Sequence, residues 1–179
     1  MLLRKINAVI SLIITFMLMN HATAHAIYMI SRGSIVPNFN LSPRVLAGLM
    51  TVHAVVCIYF GISAQKNAEK GEFNGYPRLN ASAFFQRISG ILLMIFTALH
   101  IAGASGFLTP PQVVHAILPP LFFTLVLAHV AVSTSKAFIT LGIGNAAFIK
   151  VLDIFVKVLC LVTLVASVIG FYLISFAGV

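Results

Sequence analysis

Six histidines are the residues of this chain whose type and spacing point most directly to chemistry. They are His21, His25, His53, His100, His115 and His129. A neutral imidazole is a good metal ligand and is a common axial ligand of haem iron. Because a bis-histidine haem needs two imidazoles at equal depth on facing helices, four suitably placed histidines would hold two haems. We therefore expect four of the six to ligate haem iron.

The elements that must position these histidines are long apolar windows. The chain has 179 residues, of which 60% are hydrophobic and only 8% are charged, unlike a soluble globular protein. Five windows are each long enough to cross a ~30 Å hydrocarbon core as a helix. They cover about 6–31, 44–65, 81–108, 112–135 and 150–177. Their continuous apolar character favours helices over barrel strands. The sequence predicts an all-α integral membrane protein, with residues 1–179 as one five-helix transmembrane bundle.

The basic residues predict the orientation of this bundle. Nine of the eleven fall on one side of the predicted spans, and only Arg32 and Arg44 fall on the other. The nine are Arg4, Lys5, Lys66, Lys70, Arg78, Arg87, Lys136, Lys150 and Lys157. The positive-inside rule then puts the N-terminus in the cytoplasm and the C-terminus outside. Because these charges lie in short loops between spans, we do not expect a nucleic-acid partner.

The first window has two interpretations. Its basic start, apolar stretch and Ala-x-Ala steps at 22–24 and 24–26 are typical of a secretory signal peptide. However, the apolar stretch continues to Ile30, which suits a retained span of about 25 residues. We therefore favour retention. Cleavage would remove His21 from the set of candidate ligands.

Depth along the helices sorts the histidines into two pairs. At about 1.5 Å per residue, His21 and His100 both lie in the outer halves of their windows and predict an outer haem. His53 and His129 form the inner pair, although His53 lies near the middle of its window and is shallow for this role. The alternative for any one of them is a hydrogen bond to a backbone carbonyl or a place in a polar cavity. That alternative weakens because each of four consecutive windows contributes one such histidine.

The remaining histidines leave the ligand set open. His25 follows the first histidine by one helical turn, so it is either the outer ligand or a polar group near a quinone. His115 shares a face of window four with His129, but the Pro-Pro pair at 119–120 is expected to interrupt the helix between them. Together with Tyr28, His25 and His115 are the outer groups available for quinone chemistry.

Window three carries two further candidates for cofactor binding. Arg87 lies at the inner edge of this window, about 20 Å from His100 along a helix. Since arginine binds carboxylates bidentately, Arg87 is a candidate for the propionates of the inner haem or for a quinone. The alternative is an interface anchor that snorkels to the headgroups. Gly90 would let a flat macrocycle approach the backbone, or would allow close helix packing.

The stretch QRISGILLMIFTALH (86–100) resembles the third-helix motif of the single-chain, dihaem membrane subunits of succinate:menaquinone and menaquinol:fumarate oxidoreductases. In that motif Gln-Arg-x-Ser/Thr-Gly precedes the ligand histidine at this same distance. VHAVVCIYFGISAQKN (52–67) and LVLAHVAVSTSKAFITLGI (125–143) resemble the second and fourth helices of these subunits. The first window, with FMLMNH (16–21), fits their first helix, so the resemblance covers nearly the whole chain.

The resemblance implies four axial ligands to haem iron, paired first with third and second with fourth along the chain. These are His21 with His100, and His53 with His129. It also implies that Arg87, Ser89 and Gly90 of the third-helix motif lie at a haem. In such complexes a flavoprotein and an iron–sulfur protein dock on the cytoplasmic face of this subunit. Electrons pass between the iron–sulfur clusters, two b haems and a membrane quinone, menaquinone by resemblance.

Several expectations follow from this resemblance for the protein as a whole. It would lie in the bacterial inner membrane among lipids and would not itself dehydrogenate succinate or reduce fumarate. Some family members carry a glutamate two residues before the fourth-helix ligand, where this chain has Leu127, so a glutamate-based proton path is not expected. The alternatives are a dihaem subunit of a hydrogenase or formate dehydrogenase, or a haem-free anchor or transporter. The lack of an inverted repeat weighs against transport.

Overall fold

The computed structural model describes residues 2–37, 43–68, 77–104, 106–107 and 112–176. These residues form five helices and no strand: α1 (Leu2–Ile30), α2 (Pro43–Ala68), α3 (Pro77–Ala104), α4 (Gln112–Leu141) and α5 (Ala146–Phe176). All five are long and apolar enough to cross a membrane. The prediction of an all-α chain with five membrane-length helices is confirmed, and the orientation of the termini stays a prediction.

Several helices extend beyond the apolar windows that predicted them. α1 begins at Leu2 and includes Arg4 and Lys5, whereas α4 continues to Leu141, six residues past its predicted window. α5 begins at Ala146 rather than near residue 150. Hydropathy marks only the length of chain that suits hydrocarbon, but the hydrogen-bonded ladder of a helix can continue into the polar interface. Charged residues that the sequence assigned to loops, such as Lys136 and Lys150, therefore lie on helices.

The expected interruption at Pro119 and Pro120 does not occur. Both prolines lie inside α4, and the helix continues through them to His129 and beyond. In a bundle packed within a membrane, neighbouring side chains and small adjustments of the helix can compensate for the missing N–H donors. His115 and His129 thus belong to one continuous helix, although the side chain of His115 lies outside the described part of the structure.

Helices α1 to α4 form a ring in which only neighbours touch. α1 packs against α2 and α4, α3 packs against α4, and α2 meets α3 only lightly. Within the described residues, α1 makes no close backbone approach to α3, and α2 makes none to α4. These two pairs of helices therefore face each other across the ring. We call this arrangement the four-helix ring.

Helix α5 lies outside the ring and packs against α1 and α4. Gly170 allows the close approach to α1, since a Cβ at this position would lie 2.9 Å from the Cβ of Met29. The buried residues of α1 include the small Ala22 and Ala26, which also suit close helix packing. On the α4 side, Val156 and Cys160 join one apolar cluster with Val126, Leu127, Val130 and Leu93.

Polar contacts near one end of the bundle also join α4 to α5. The hydroxyl of the buried Ser135 donates to Asp153 Oδ1 at 3.0 Å. Lys157, one turn further along α5, forms an ion pair with Asp153 Oδ2. The side chain of Asn145 caps α5, because its Oδ1 accepts the backbone N–H of Phe148 at 2.9 Å. The start of α5 is thereby fixed against the end of α4.

Candidate functional site

Two of the predicted ligand histidines lie across the ring from each other on α2 and α4. His53 and His129 are both half-buried, and they are close enough for their charges to interact. Their helices make no close backbone approach in the described part of the chain. One histidine on each of two facing helices is what a bis-histidine haem requires. The sequence places His53 near the middle of its window, but in the structure it still lies near His129.

The imidazole of His129 is held by a serine on α3. Ser89, only 1% exposed, has its Oγ 2.7 Å from His129 Nδ1. The same Oγ also lies 3.2 Å from the backbone carbonyl oxygen of Gln86. A serine hydroxyl has one proton, so it donates either to this carbonyl or to His129 Nδ1. When it donates to the carbonyl, its oxygen accepts from His129, which then carries its proton on Nδ1. That tautomer leaves the lone pair of His129 Nε2 available for a metal ion, as a ligating histidine requires.

Gly90 brings the backbone of α3 next to the same imidazole. A Cβ at this position would lie 3.6 Å from Cε1 of His129, which is an ordinary van der Waals contact. An alanine would therefore fit at this position, and the packing of α3 against His129 does not itself require glycine.

A polar network that the sequence did not predict extends from this serine along α3 and α4. Gln86 donates from its Nε2 to Ser133 Oγ at 3.3 Å and accepts from Lys136 Nζ at 2.9 Å. The charge of Lys136 also interacts with His129, two turns earlier on the same helix. In the sequence, Lys136 indicates only the topology of the chain. A lysine seven residues after a candidate ligand, and so on the same helix face, could have indicated this network.

Arg87, the predicted partner for propionates, does not join this network. Its side chain is exposed, and within the described residues it makes no hydrogen bond or ion pair. Lys136 is instead the cation that interacts with His129, one of the two predicted inner ligands. The exposed position of Arg87 is compatible with the snorkelling alternative and with binding of a group that approaches from the membrane.

His53 on α2 is held by Asn7 of the neighbouring helix α1. The Oδ1 of Asn7 lies 3.0 Å from His53 Nδ1, and Cys57 Sγ lies 3.5 Å from His53 Nε2. Sequence reasoning missed Asn7. The signal was present, because an isolated amide within an apolar window needs a polar partner.

Three of the four predicted outer histidines, His21, His25 and His100, lie close together at the other end of the ring. The ring centroids of His21 and His25 are 6.4 Å apart. His100 on α3 is close enough to both for electrostatic interaction. His21 and His100 belong to α1 and α3, the second pair of helices that face each other across the ring. The structure therefore brings the predicted outer pair together, and it brings His25 with them.

Two consecutive phenylalanines of α4 pack against two of these histidines. The ring of Phe122 lies 5.3 Å from that of His100 and stacks on Phe96 at 6.3 Å. The ring of Phe123 lies 5.9 Å from that of His25. Sequence reasoning did not assign these aromatic residues a role. They give His100 and His25 different apolar neighbours, although both imidazoles are exposed at their surfaces.

The other two residues predicted to serve a quinone are not brought into this group by any described contact. Tyr28 packs at the turn after α1, where a Cβ on Gly33 would lie 3.5 Å from its hydroxyl oxygen. The side chain of His115 lies outside the described part of the structure. Of the three predicted quinone residues, only His25 is shown close to the predicted haem ligands.

The donor set fits haem on two grounds. A haem iron takes only two ligands from the protein because the porphyrin supplies the others. Two pairs of imidazoles meet this requirement. In addition, the Oγ1 of Thr97 is buried without a hydrogen-bond partner in the described part of the chain, one turn before His100. No three His, Cys, Asp or Glu side chains among the described residues are arranged to hold a bare metal ion.

Comparison with known proteins adds no relative to this picture. No protein-family model, no curated protein and no solved structure gives a significant match to the chain. The fold defines a helical, multi-pass membrane protein. The resemblance to dihaem oxidoreductase subunits rests on the residues of this sequence alone.

Proposed function

We propose that this protein is a haem-b-containing membrane anchor and electron-transfer subunit of a succinate dehydrogenase or fumarate reductase complex. The observation that carries the proposal is the placement of four histidines, one on each helix of the four-helix ring, as two pairs across its diagonals. A dihaem cytochrome needs this arrangement, whereas a haem-free anchor has no need of it.

Each haem would be held by one diagonal pair. His53 and His129 would ligate the inner haem through their Nε2 atoms, because both Nδ1 atoms face oxygen acceptors. His21 and His100 would ligate the outer haem. Bound haem would supply reversible one-electron transfer, and the chain's own residues would bury it and set its ligand geometry.

The polar groups around the inner pair would bind the charged edge of the macrocycle. Lys136 carries a positive charge beside His129 and would favour a propionate there. Gly90 would allow the macrocycle to lie close to the backbone of α3. Arg87, exposed near the same end of α3, would bind a propionate or a quinone that approaches from the membrane.

The outer group supports a quinone site beside the outer haem. His25 lies 6.4 Å from His21, ring to ring, and is not needed as a ligand if His21 and His100 are the pair. An imidazole in this position can exchange the proton that accompanies electron transfer to or from a quinone. Tyr28 and His115 remain candidates for the same site, and menaquinone is the quinone expected from the resemblance.

The remaining parts of the proposal concern location and partners. The N-terminus and the α4–α5 turn would face the cytoplasm of a bacterial cell, where most of the positive charge lies. A flavoprotein and an iron–sulfur protein would dock on that face and carry out the dehydrogenation. The exposed apolar side chains of α2, α3 and α5 would contact lipid.

Purification of the tagged chain from its native membranes tests the proposal. We expect it to bring down a flavin-containing and an iron–sulfur subunit, and the complex to reduce a quinone with succinate or to reduce fumarate with a quinol. A dihaem chain that co-purifies with hydrogenase or formate dehydrogenase subunits would retain the haem assignment and overturn the choice of complex.

A further inference from the structure

Three side chains form a closed ring of polar contacts between α1 and α2. Asn7 Oδ1 lies 3.0 Å from His53 Nδ1, and Asn7 Nδ2 donates to Cys57 Sγ at 3.7 Å. The ring closes where Cys57 Sγ lies 3.5 Å from His53 Nε2. The haem ligands and quinone residues proposed above do not include Asn7 or Cys57.

The chemistry of the three groups determines where the protons lie. An amide oxygen can only accept, so His53 must donate from Nδ1 to Asn7. In a neutral imidazole the other nitrogen, Nε2, then carries a lone pair. The Sγ of Cys57 lies 3.5 Å from Nε2 and 4.0 Å from Nδ1, so it lies beside the imidazole and away from the axis of that lone pair. Its sulfur accepts from the amide of Asn7.

We propose that Asn7 is a positioning residue that fixes the Nδ1–H tautomer of His53 and so presents Nε2 to an incoming metal centre. The part of the inference that concerns metal binding rests on the proposed haem function. The tautomer itself is a property of the chain without haem, so it can be tested separately.

A simpler role for Asn7 would be to tie α1 to α2. The structure contains a second contact of that kind, because the guanidinium of Arg4 lies 5.7 Å from the ring centre of Phe60. Phe60→Leu removes this contact without touching His53 and is a matched control. Asn7→Leu removes both the acceptor for His53 and the donor to Cys57. Asn7→Asp keeps an acceptor for His53.

Nitrogen-15 NMR of the ring-labelled, haem-free chain in lipid bilayers tests the tautomer directly, with His53→Gln used to assign the signals. We expect His53 to be protonated at Nδ1 in the parent chain, in Asn7→Asp and in Phe60→Leu. In Asn7→Leu we expect the proton to shift toward Nε2. If His53 is protonated at Nε2 in the parent chain, or keeps its tautomer in Asn7→Leu, the inference is wrong.

Haem titration of the same variants tests the consequence. Removing the partner of a ligating histidine typically weakens metal binding by about 10- to 100-fold. We expect Asn7→Leu to bind one of the two haems about 10- to 100-fold more weakly than the parent chain. Asn7→Asp and Phe60→Leu should bind it with the affinity of the parent chain. Equal retention in all variants would overturn the positioning role. A parent chain that shows the Nδ1–H tautomer but binds no haem would instead refute the proposed function.

Discussion

Ser89 Oγ lies 2.7 Å from His129 Nδ1, and this contact joins the third and fourth helices beside the His53–His129 pair. When the serine proton goes to the carbonyl of Gln86, the serine oxygen accepts from the imidazole. One buried hydroxyl thus orients the ring of His129 and leaves Nε2 free to bind a metal. A serine in this role is a partner that tunes a ligand, as metal-binding histidines usually have.

Replacement of Ser89 by alanine should weaken one haem site and leave the other intact. The loss of the acceptor for Nδ1 frees the imidazole to rotate and to change tautomer. We expect about 10- to 100-fold weaker retention of the inner haem, measured as haem per polypeptide in a titration of the haem-depleted protein.

A matched control is Ser167→Ala on α5. Ser167 is 2% exposed, and its Oγ has no hydrogen-bond partner in the described part of the chain. This variant should bind haem as the parent chain does. If Ser89→Ala also binds both haems normally, the contact with His129 has no part in ligation.

Single histidine variants should sort into two classes. His53→Gln and His129→Gln should each remove the same haem, because one missing ligand disables the pair. His21→Gln and His100→Gln should each remove the other haem. The two haems can be distinguished by their reduced-minus-oxidised spectra and their midpoint potentials. Loss of different haems in two members of one pair would contradict the diagonal pairing.

His25 and His115 provide the controls for that series. Both variants to glutamine should keep two haems, and His25→Gln should lower quinone turnover because the imidazole lies beside the outer pair. If His25→Gln removes the outer haem while His21→Gln does not, the ligand is His25. The sequence left this alternative open, and the two rings lie only 6.4 Å apart.

The contacts between α4 and α5 should affect stability but not cofactor binding. Ser135→Ala removes a hydrogen bond to Asp153 from a buried position, which should lower the free energy of unfolding by about 1 kcal/mol. Lys157→Gln breaks an ion pair with an exposed lysine and should cost no more than a few tenths of a kcal/mol. Unfolding in mixed detergent micelles measures both. A loss of haem in Ser135→Ala would show that this end of the bundle is coupled to the site.

The orientation of the chain can be tested with single cysteines. Ala147→Cys at the exposed start of α5 and Ser34→Cys after α1 lie at opposite ends of the bundle by connectivity. In a background with Cys57 and Cys160 replaced by alanine, a membrane-impermeant maleimide should label residue 147 only from the cytoplasmic side. Residue 34 should be labelled only from outside. The reverse pattern would contradict the positive-inside interpretation.

The sequence predicted the helices well because their apolar windows are long and contain few charged residues. It failed at their ends, where helices continue past the apolar stretch, as α4 does to Leu141. It also failed at Pro119 and Pro120, because the rule that proline breaks a helix comes from chains whose backbone is open to water. Hydropathy carries no information about how a packed bundle compensates for two missing donors.

The sequence was also informative about the histidines, since depth along a helix follows directly from residue number. The pairing by depth agrees with the helices that face each other, although ligation itself is untested. The partners of those histidines were harder to find. Asn7 and Lys136 lie 46 and seven residues from the imidazoles with which they interact. Rotation of each helix about its axis decides such contacts, and periodicity predicts that rotation poorly when the helix is apolar on all sides.

The haem content of the purified chain tests the central claim most directly. The chain would be produced with haem available, shown to be folded, and measured by its reduced-minus-oxidised spectrum and by haem per polypeptide. The diagonal pairs of histidines predict about two b haems for each chain. A folded preparation that contains no haem would contradict the electron-transfer function and leave a structural membrane anchor.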